Sequence, residues 1–205
     1  MLEVRELECV RGDHRLFRGL CFTLQAGELL HLRGTNGAGK TSLLRTLCGL
    51  MAPADGDVLW HGKSIQSFRD EYNRALTYLG HLNGIKGDLS AIENLQISSS
   101  LSGITLSEDG ILDALSKMGL AGREDLPTKV LSQGQKRRVA LARLLLSDTK
   151  LWILDEPFTA LDVHAVDYLK RLIGKHLKAE GMVILTTHQH VEIEAGVMKE
   201  VDLSA

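Results

Sequence analysis

The sequence has no apolar run that approaches the ~18 to 20 residues needed to span a bilayer; its unbroken apolar segments are as short as Met182-Val183-Ile184-Leu185. Any membrane association is therefore expected through a partner. An excess of charge of one sign is also missing: 24 Lys and Arg stand against 26 Asp and Glu, a formal net charge of -2. That balance argues against a nucleic-acid binder, which needs a strongly basic face, so no nucleic acid is expected as a partner. Cysteine is scarce. Cys9, Cys21 and Cys48 show neither CxxC pairing nor metal-ligand spacing and read as small buried hydrophobes in a reducing compartment. The first residues, Met1 to Leu7, alternate apolar and charged like a strand and lack the basic start and apolar block of a signal peptide, so a cytoplasmic location is expected. There is no internal repeat, low-complexity tract or interdomain linker.

What is present is a 205-residue chain of 44% hydrophobic content, enough to bury the core of one domain with a modest insertion. Leu2 to Leu24 reads as two strands broken by the turn-like Arg11-Gly12-Asp13-His14, and Glu28 to Arg33 as a third running into a glycine-rich loop. A helix starts near Gly39, with Leu43, Leu44, Leu47 and Leu50 at three-to-four spacing and Gly49 and Pro53 as its stop. Val58 to Trp60 and Ala75 to Leu79 read as short strands. From His81 to Val130 the pattern turns helical, at Ala91 to Ser100 and Ser107 to Met118. Alternation then resumes: helix Gln135 to Leu146, strand Leu151 to Leu154, helix Val163 to Lys178, strand Met182 to Thr186, and a last strand near Val197 to Asp202. Strands alternating with helices predict a mostly parallel sheet covered on both faces. The expected fold is α/β: one domain over 1–205, with a core about 1–80 and 132–205 that includes an N-terminal antiparallel β subdomain, and a helical subdomain about 82–131.

Gly34-Thr35-Asn36-Gly37-Ala38-Gly39-Lys40-Thr41 fits the phosphate-binding P-loop and lies between a predicted strand and a predicted helix, the context that pattern requires. Glycines let backbone N–H groups turn inward around phosphates, and the helix start that runs on into Ser42 adds its positive end. Lys40 supplies a point charge, and the Thr41 hydroxyl can ligate Mg²⁺. Asp155 and Glu156 follow four apolar residues and so emerge at the carboxyl end of a buried strand, where open α/β sheets place ligands. Asp155 would hold Mg²⁺ through water, and Glu156 would position or deprotonate the attacking water. His188 stands at another strand end, after Thr186 and Thr187. His188 and His190 could suggest a metal pair, but no third or fourth ligand is near in sequence. Leu131-Ser132-Gln133-Gly134-Gln135 carries a helix start, Ser132 as N-cap and Gln135 as its capping-box partner. The same helix end can also ligate a phosphate, which must then come from another chain because this chain's P-loop has its own pocket. Lys136-Arg137-Arg138 reads as a solvated or phosphate-facing helical turn.

Together, the P-loop, Leu131 to Gln135, Leu151 to Glu156, Ala160-Leu161-Asp162 and His188 resemble, in order, the motifs of the ATP-binding cassette (ABC) family over nearly the whole chain. Within that family the sequence looks most like the ATP-binding subunit of bacterial cytochrome c maturation systems, the haem exporter ATPase. That closer likeness rests on Tyr78-Leu79-Gly80-His81, on Gly134 to Leu145 and Trp152 to Asp162, and on Ile184 to Gln189. The resemblance implies a P-loop NTPase (RecA-like) core and an ATP hydrolase using ATP and Mg²⁺ (Thr41, Asp155), with Glu156, His188 and His81 as catalytic residues. It also implies a second copy of the chain in an ATP-sandwich dimer, with Ser132, Gln133, Gly134 and Gln135 on the partner's ATP and Asp162 in the D-loop. The integral membrane subunits of the cytochrome c maturation system are the further partners, at the cytoplasmic face of the bacterial inner membrane. ATP would drive haem export or release of a haem-loaded chaperone; the alternatives are a transporter ATPase for another small substrate and a soluble ABC ATPase acting on nucleic acid or ribosomes. Three positions depart from the general pattern. His81 stands for the usual Q-loop glutamine, Gln133 for the first signature glycine, and Arg11 for an adenine-stacking aromatic, where a guanidinium can also stack.

Overall fold

A computed structural model of the protein describes residues 1–189, 192–193 and 196–204. Its centre is a five-stranded parallel sheet. In spatial order its strands are Leu76–Leu79 (β6), Leu151–Asp155 (β7), Met182–Thr186 (β8), Glu28–Arg33 (β3) and Val197–Asp202 (β9). Every residue of β7 and β8 is buried, as their unbroken apolar runs require of strands covered on both faces. The two-residue period of a strand then divides the core. Trp152, Leu154, Val183 and Leu185 point to one layer, and Leu151, Ile153, Met182 and Ile184 to the other.

The first layer is helical and contains Ala91–Leu101 (α3), Glu108–Lys117 (α4), Gln133–Ala142 (α5) and Val163–Lys178 (α6). The second holds the helix after the glycine loop, Lys40–Leu47 (α1), beneath a four-stranded antiparallel sheet. That sheet runs His14–Leu24 (β2), Leu2–Arg11 (β1), Asp55–Trp60 (β4) and Lys63–Ser64 (β5). Helix starts are chemically marked. Ser90 and Ser132 each close a capping box, with Glu93 and Gln135, and the side chains of Ser107 and Asp162 accept from Gly110 N and Ala165 N. Each cap is worth about 1 kcal/mol.

Four local features differ from the sequence reading. A helix at Arg69–Ala75 (α2) precedes β6, which begins at Leu76; α2 is polar and buries only Tyr72, whose hydroxyl donates to Leu47 O at 2.6 Å, so it has no apolar period to read. Helix α1 ends at Leu47, and Leu50 is 67% exposed instead of continuing its buried face. Helix α5 begins two residues early, at Gln133, and its last turn tightens into a 3₁₀ turn at Arg143–Leu145. Cys9 and Cys48 are buried as expected, but Cys21 is exposed on β2, where its thiol donates to Glu6 Oε1 at 3.0 Å.

Candidate active site

After β3 the chain turns through 34–39 into α1, and Gly34, Gly37 and Gly39 take φ values of 144°, 89° and 102°, open only to glycine without strain. At Gly39 there is also no room. A Cβ there would stand 3.1 Å from Leu16 Cβ and 3.2 Å from the Phe17 ring, so β2 backs the loop. Lys40 curls over the loop, its Nζ donating to Gly34 O at 2.6 Å and Thr35 O at 3.1 Å. Ala38 N also donates to Thr35 O, at 3.2 Å. The Thr35 amide itself is taken by Ser204 Oγ at 2.8 Å, a contact from the far end of the chain that no sequence signal announces.

Strand β7 delivers the two acids side by side into different surroundings. Asp155, 3% exposed, accepts from the Thr41 hydroxyl at 3.0 Å on one oxygen and from the Thr186 hydroxyl at 2.8 Å on the other. Thr186 Oγ1 in turn accepts from Glu156 N at 2.9 Å. Glu156 has φ 49°, a left-handed conformation costing about 1–3 kcal/mol for a non-glycine residue. A clamp holds it there. Arg137 donates to Asp155 O and Glu156 O, both at 2.9 Å, to Pro157 O at 3.4 Å, and across to Gly80 O at 3.0 Å and Asn83 Oδ1 at 3.2 Å. Burial pushes the Arg137 pKa down, and the charges of Asp155 and Glu156 oppose that shift.

This corrects the reading of Lys136-Arg137-Arg138 as a solvated or phosphate-facing turn: Arg137 is 4% exposed, and Arg138 pairs with Asp162. The available signal was helical spacing, because Arg137 shares a face with the buried Leu141 and Leu144. Thr186, which ties β8 to both acids, had no motif to mark it.

His188 Nε2 lies 3.5 Å from Glu156 Oε1, a buried oxygen with no hydrogen-bond partner among the described residues. Asn36, Gly37, Gly39, Lys40, Thr41 and Ser42 line a cleft of about 400 Å³ together with Asp155, Glu156, His188, His81 and Arg11. Gly34, Thr35 and Ala38 shape the loop without lining the cleft. Thr41 and Asp155 offer adjacent hard oxygen donors, a set suited to a Mg²⁺ that keeps most of its ligands on phosphates and water. Among the described residues no group of three or more His, Cys, Asp and Glu side chains gathers as a metal cage. His190 lies outside the described residues.

Ser132, Gln133, Gly134 and Gln135 do not line this cleft. Ser132 Oγ accepts from Gln135 N at 3.2 Å, while the Gln135 side chain accepts from Ser132 N at 2.9 Å. The close approach at Gly134 is to the 160–162 loop, since a Cβ there would stand 2.5 Å from Ala160 O. Ala160 itself has φ 62°. Asp162 ends that loop, and its carboxyl is held below the usual range by the Ala165 amide and, less strongly, by the Arg138 charge.

A family model described as ABC transporter matches residues 17–159, the glycine loop through the acidic strand end and beyond. The chain is an ABC transporter ATP-binding domain. This ABC domain is 58% identical, over 99% of its own length and 100% of the relative's, to the cytochrome c biogenesis ATP-binding export protein CcmA of Dechloromonas aromatica. It is 50% identical to the protein of that description from Escherichia coli O157:H7, over 100% of the chain and 97% of the relative. Among solved structures, a putative ABC transporter ATP-binding protein from Pyrococcus furiosus superposes with TM-score 0.82 at 27% identity, covering 97% of the ABC domain and 96% of that chain. The ATP-binding cassette MJ0796, solved as a post-hydrolysis dimer with ADP and Pi, shares the fold with TM-score 0.81 at 21% identity, over 92% of this chain and 88% of that one.

Proposed function

We propose that the chain is the ATP-hydrolysing subunit of a membrane complex of cytochrome c biogenesis, using ATP to drive haem export or release of a haem-loaded chaperone. The observation that carries this reading is likeness over the full length to export proteins of that system, joined to an assembled set of Lys40, Thr41, Asp155, Glu156 and His188 around one cleft. In this reading the β- and γ-phosphates take the place where Lys40 now meets the loop carbonyls. The Thr41 hydroxyl and, through water, Asp155 would hold Mg²⁺, which would supply charge neutralisation to the phosphates. The carboxylate of Glu156, which lines the cleft on a backbone held by the Arg137 clamp, orients or deprotonates the attacking water, and His188 contacts the γ-phosphate. Arg11 stacks on the adenine from the end of β1.

A second copy is required because Ser132 to Gln135 lie away from the cleft of their own chain. Their helix N-terminus serves the γ-phosphate held by the partner copy, while the 160–162 loop, in contact with Gly134, links the two half-sites. No described helix is long and apolar enough to cross a membrane. In this reading the chain works at the cytoplasmic face of the inner membrane through integral membrane subunits of the maturation system, as its likeness to export proteins of that system supports. His81 lines both the nucleotide cleft and the larger hollow beside α3, which supports a role in coupling the two. The test is co-purification in detergent with the cell's own membrane proteins. Recovery of integral cytochrome c maturation proteins, with ATP turnover by the complex abolished in Lys40→Ala, is expected; a stable complex made only with soluble ribosomal or nucleic-acid components would overturn the reading.

A further inference from the structure

The peptide group between Gly34 and Thr35 is held at both of its ends. Its carbonyl, Gly34 O, accepts from Lys40 Nζ at 2.6 Å, and its N–H, on Thr35, donates to Ser204 Oγ at 2.8 Å. The two holds respond differently to a nucleotide. Lys40 is a charged donor on neutral carbonyls, Gly34 O and Thr35 O, and anionic phosphate oxygens outbid those acceptors for it. Ser204 carries no charge and accepts from an N–H, so an arriving phosphate gives it no reason to move.

The peptide needs a lasting hold because of the residue before it. Gly34 has φ 144°, and with no Cβ to restrict it this peptide plane can rotate at little steric cost. Rotation would carry the rest of the turn with it, since Ala38 N donates back to Thr35 O at 3.2 Å. Ser204 is itself aimed by the sheet. Strand β9 pairs with β3 as far as Asp202 opposite Arg33, Leu203 N then donates to Arg33 O at 3.1 Å, and Ser204 N donates to Asp202 Oδ1 at 2.8 Å. Leu203 packs on the core layer of α1, and a Cβ on Gly34 would stand 3.4 Å from Leu203 Cβ and 3.5 Å from Ser204 Oγ. The hydroxyls of Ser204 and Thr35 make a second, long contact at 3.5 Å.

We propose that Ser204 is a positioning residue for nucleotide binding: its hydroxyl pins the Gly34–Thr35 peptide, so that the loop keeps its phosphate-receiving shape when Lys40 turns from the loop carbonyls to the phosphates. The inference rests on the proposed placement of the phosphates at Lys40 and adds to it a residue that does not line the cleft.

The experiment measures equilibrium binding of a fluorescent ATP analogue to the full chain, with KM and kcat for ATP as a second reading. Ser204→Ala keeps the Leu203 to Arg33 hydrogen bond and removes only the hydroxyl. It should weaken binding and raise KM about fivefold, with kcat changed less than about twofold. A loss of folded protein alone would instead lower the apparent kcat at unchanged KM. Ser204→Thr keeps the hydroxyl at an exposed position with room for a methyl group, and should restore binding. Thr35→Val keeps the N–H, and Ser204→Ala should still cost about fivefold in that background. Thr35→Pro has no N–H, and there Ser204→Ala should have no further effect. Parent-like binding and KM in Ser204→Ala, a Ser204→Thr chain as weak as Ser204→Ala, or an undiminished Ser204→Ala effect beside Thr35→Pro each overturns the proposal; if Thr35→Pro binds no nucleotide, the first two decide. Lys40→Ala separates this proposal from the reading beneath it. If that variant binds the analogue as the parent does, the phosphate placement itself fails. Weak binding by Lys40→Ala beside parent-like Ser204→Ala removes only the role given to Ser204.

Discussion

Arg137 shows how much one side chain does that its neighbours in sequence conceal. Between Lys136 and Arg138 it is one more positive charge; folded, it donates to the carbonyls of Asp155, Glu156, Pro157 and Gly80, and so holds the strained Glu156 peptide. Arg137→Met would orphan several buried carbonyls and should cost on the order of 3 kcal/mol, read by urea unfolding, together with a loss of ATP turnover. Glu156→Gln keeps the clamp and the cleft but removes the carboxylate. It should retain ATP binding and lower hydrolysis by about 10² to 10⁴, trapping an ATP-dependent dimer on size exclusion; turnover at the parent rate would sink the base assignment. A different titration belongs to His176, stacked on Trp152 with ring centroids 3.7 Å apart and pushed by burial down to about 4 from 6.5. A lowered folded pKa means the fold prefers the neutral ring. Its contribution is therefore complete above pH 6.5 and is lost as the pH falls toward about 4. Thermal unfolding followed over that range should lose part of its acid dependence in His176→Phe, which keeps the stack.

Among the elements, α5 is the one whose sequence carries two messages, and the structure shows the first, the capped helix start. Ser132 and Gln135 close the capping box that starts the helix, while Gly134 leaves the space through which Ala160 O approaches. A Cβ 2.5 Å from that oxygen must push the helix or the 160–162 loop aside. In a Glu156→Gln background, Gly134→Ala should weaken the ATP-dependent dimer by about tenfold while ATP binding to the single chain is little changed; an unaltered dimer would detach this contact from assembly. The elements legible from sequence were those with a strong period or a chemical cap, such as β7, β8 and α6. Helix α2 was not legible. It is short and polar and is held by one buried tyrosine whose partner, Leu47 O, is 25 residues away.

At the scale of the molecule, the parallel sheet brings the glycine loop after β3, the acids at the end of β7 and Thr186 of β8 together at the carboxyl ends of its strands, but leaves Ser132 to Gln135 outside that cleft. The proposed sharing of sites between two copies makes a mixing experiment decisive. Lys40→Ala chains and Ser132→Arg chains, each inactive alone, should regain ATP turnover when combined, because a mixed dimer contains one site with both halves intact. Inactivity of mixtures in which mixed dimers demonstrably form would rule out the shared site.

The family, the nucleotide loop, the acidic pair and the alternating α/β architecture were determined by the sequence itself. Each depends on residue type at short spacing: glycines where φ must be positive, a carboxylate pair after four apolar residues, apolar periods of two and of three to four. Only the tertiary structure decided that Arg137 is a buried clamp, that Thr186 joins both acids, and that Ser204 occupies the Thr35 amide. Those are facts about partners 18 to 169 residues apart, and no local pattern encodes which distant atoms a folded chain brings within 3 Å of one another.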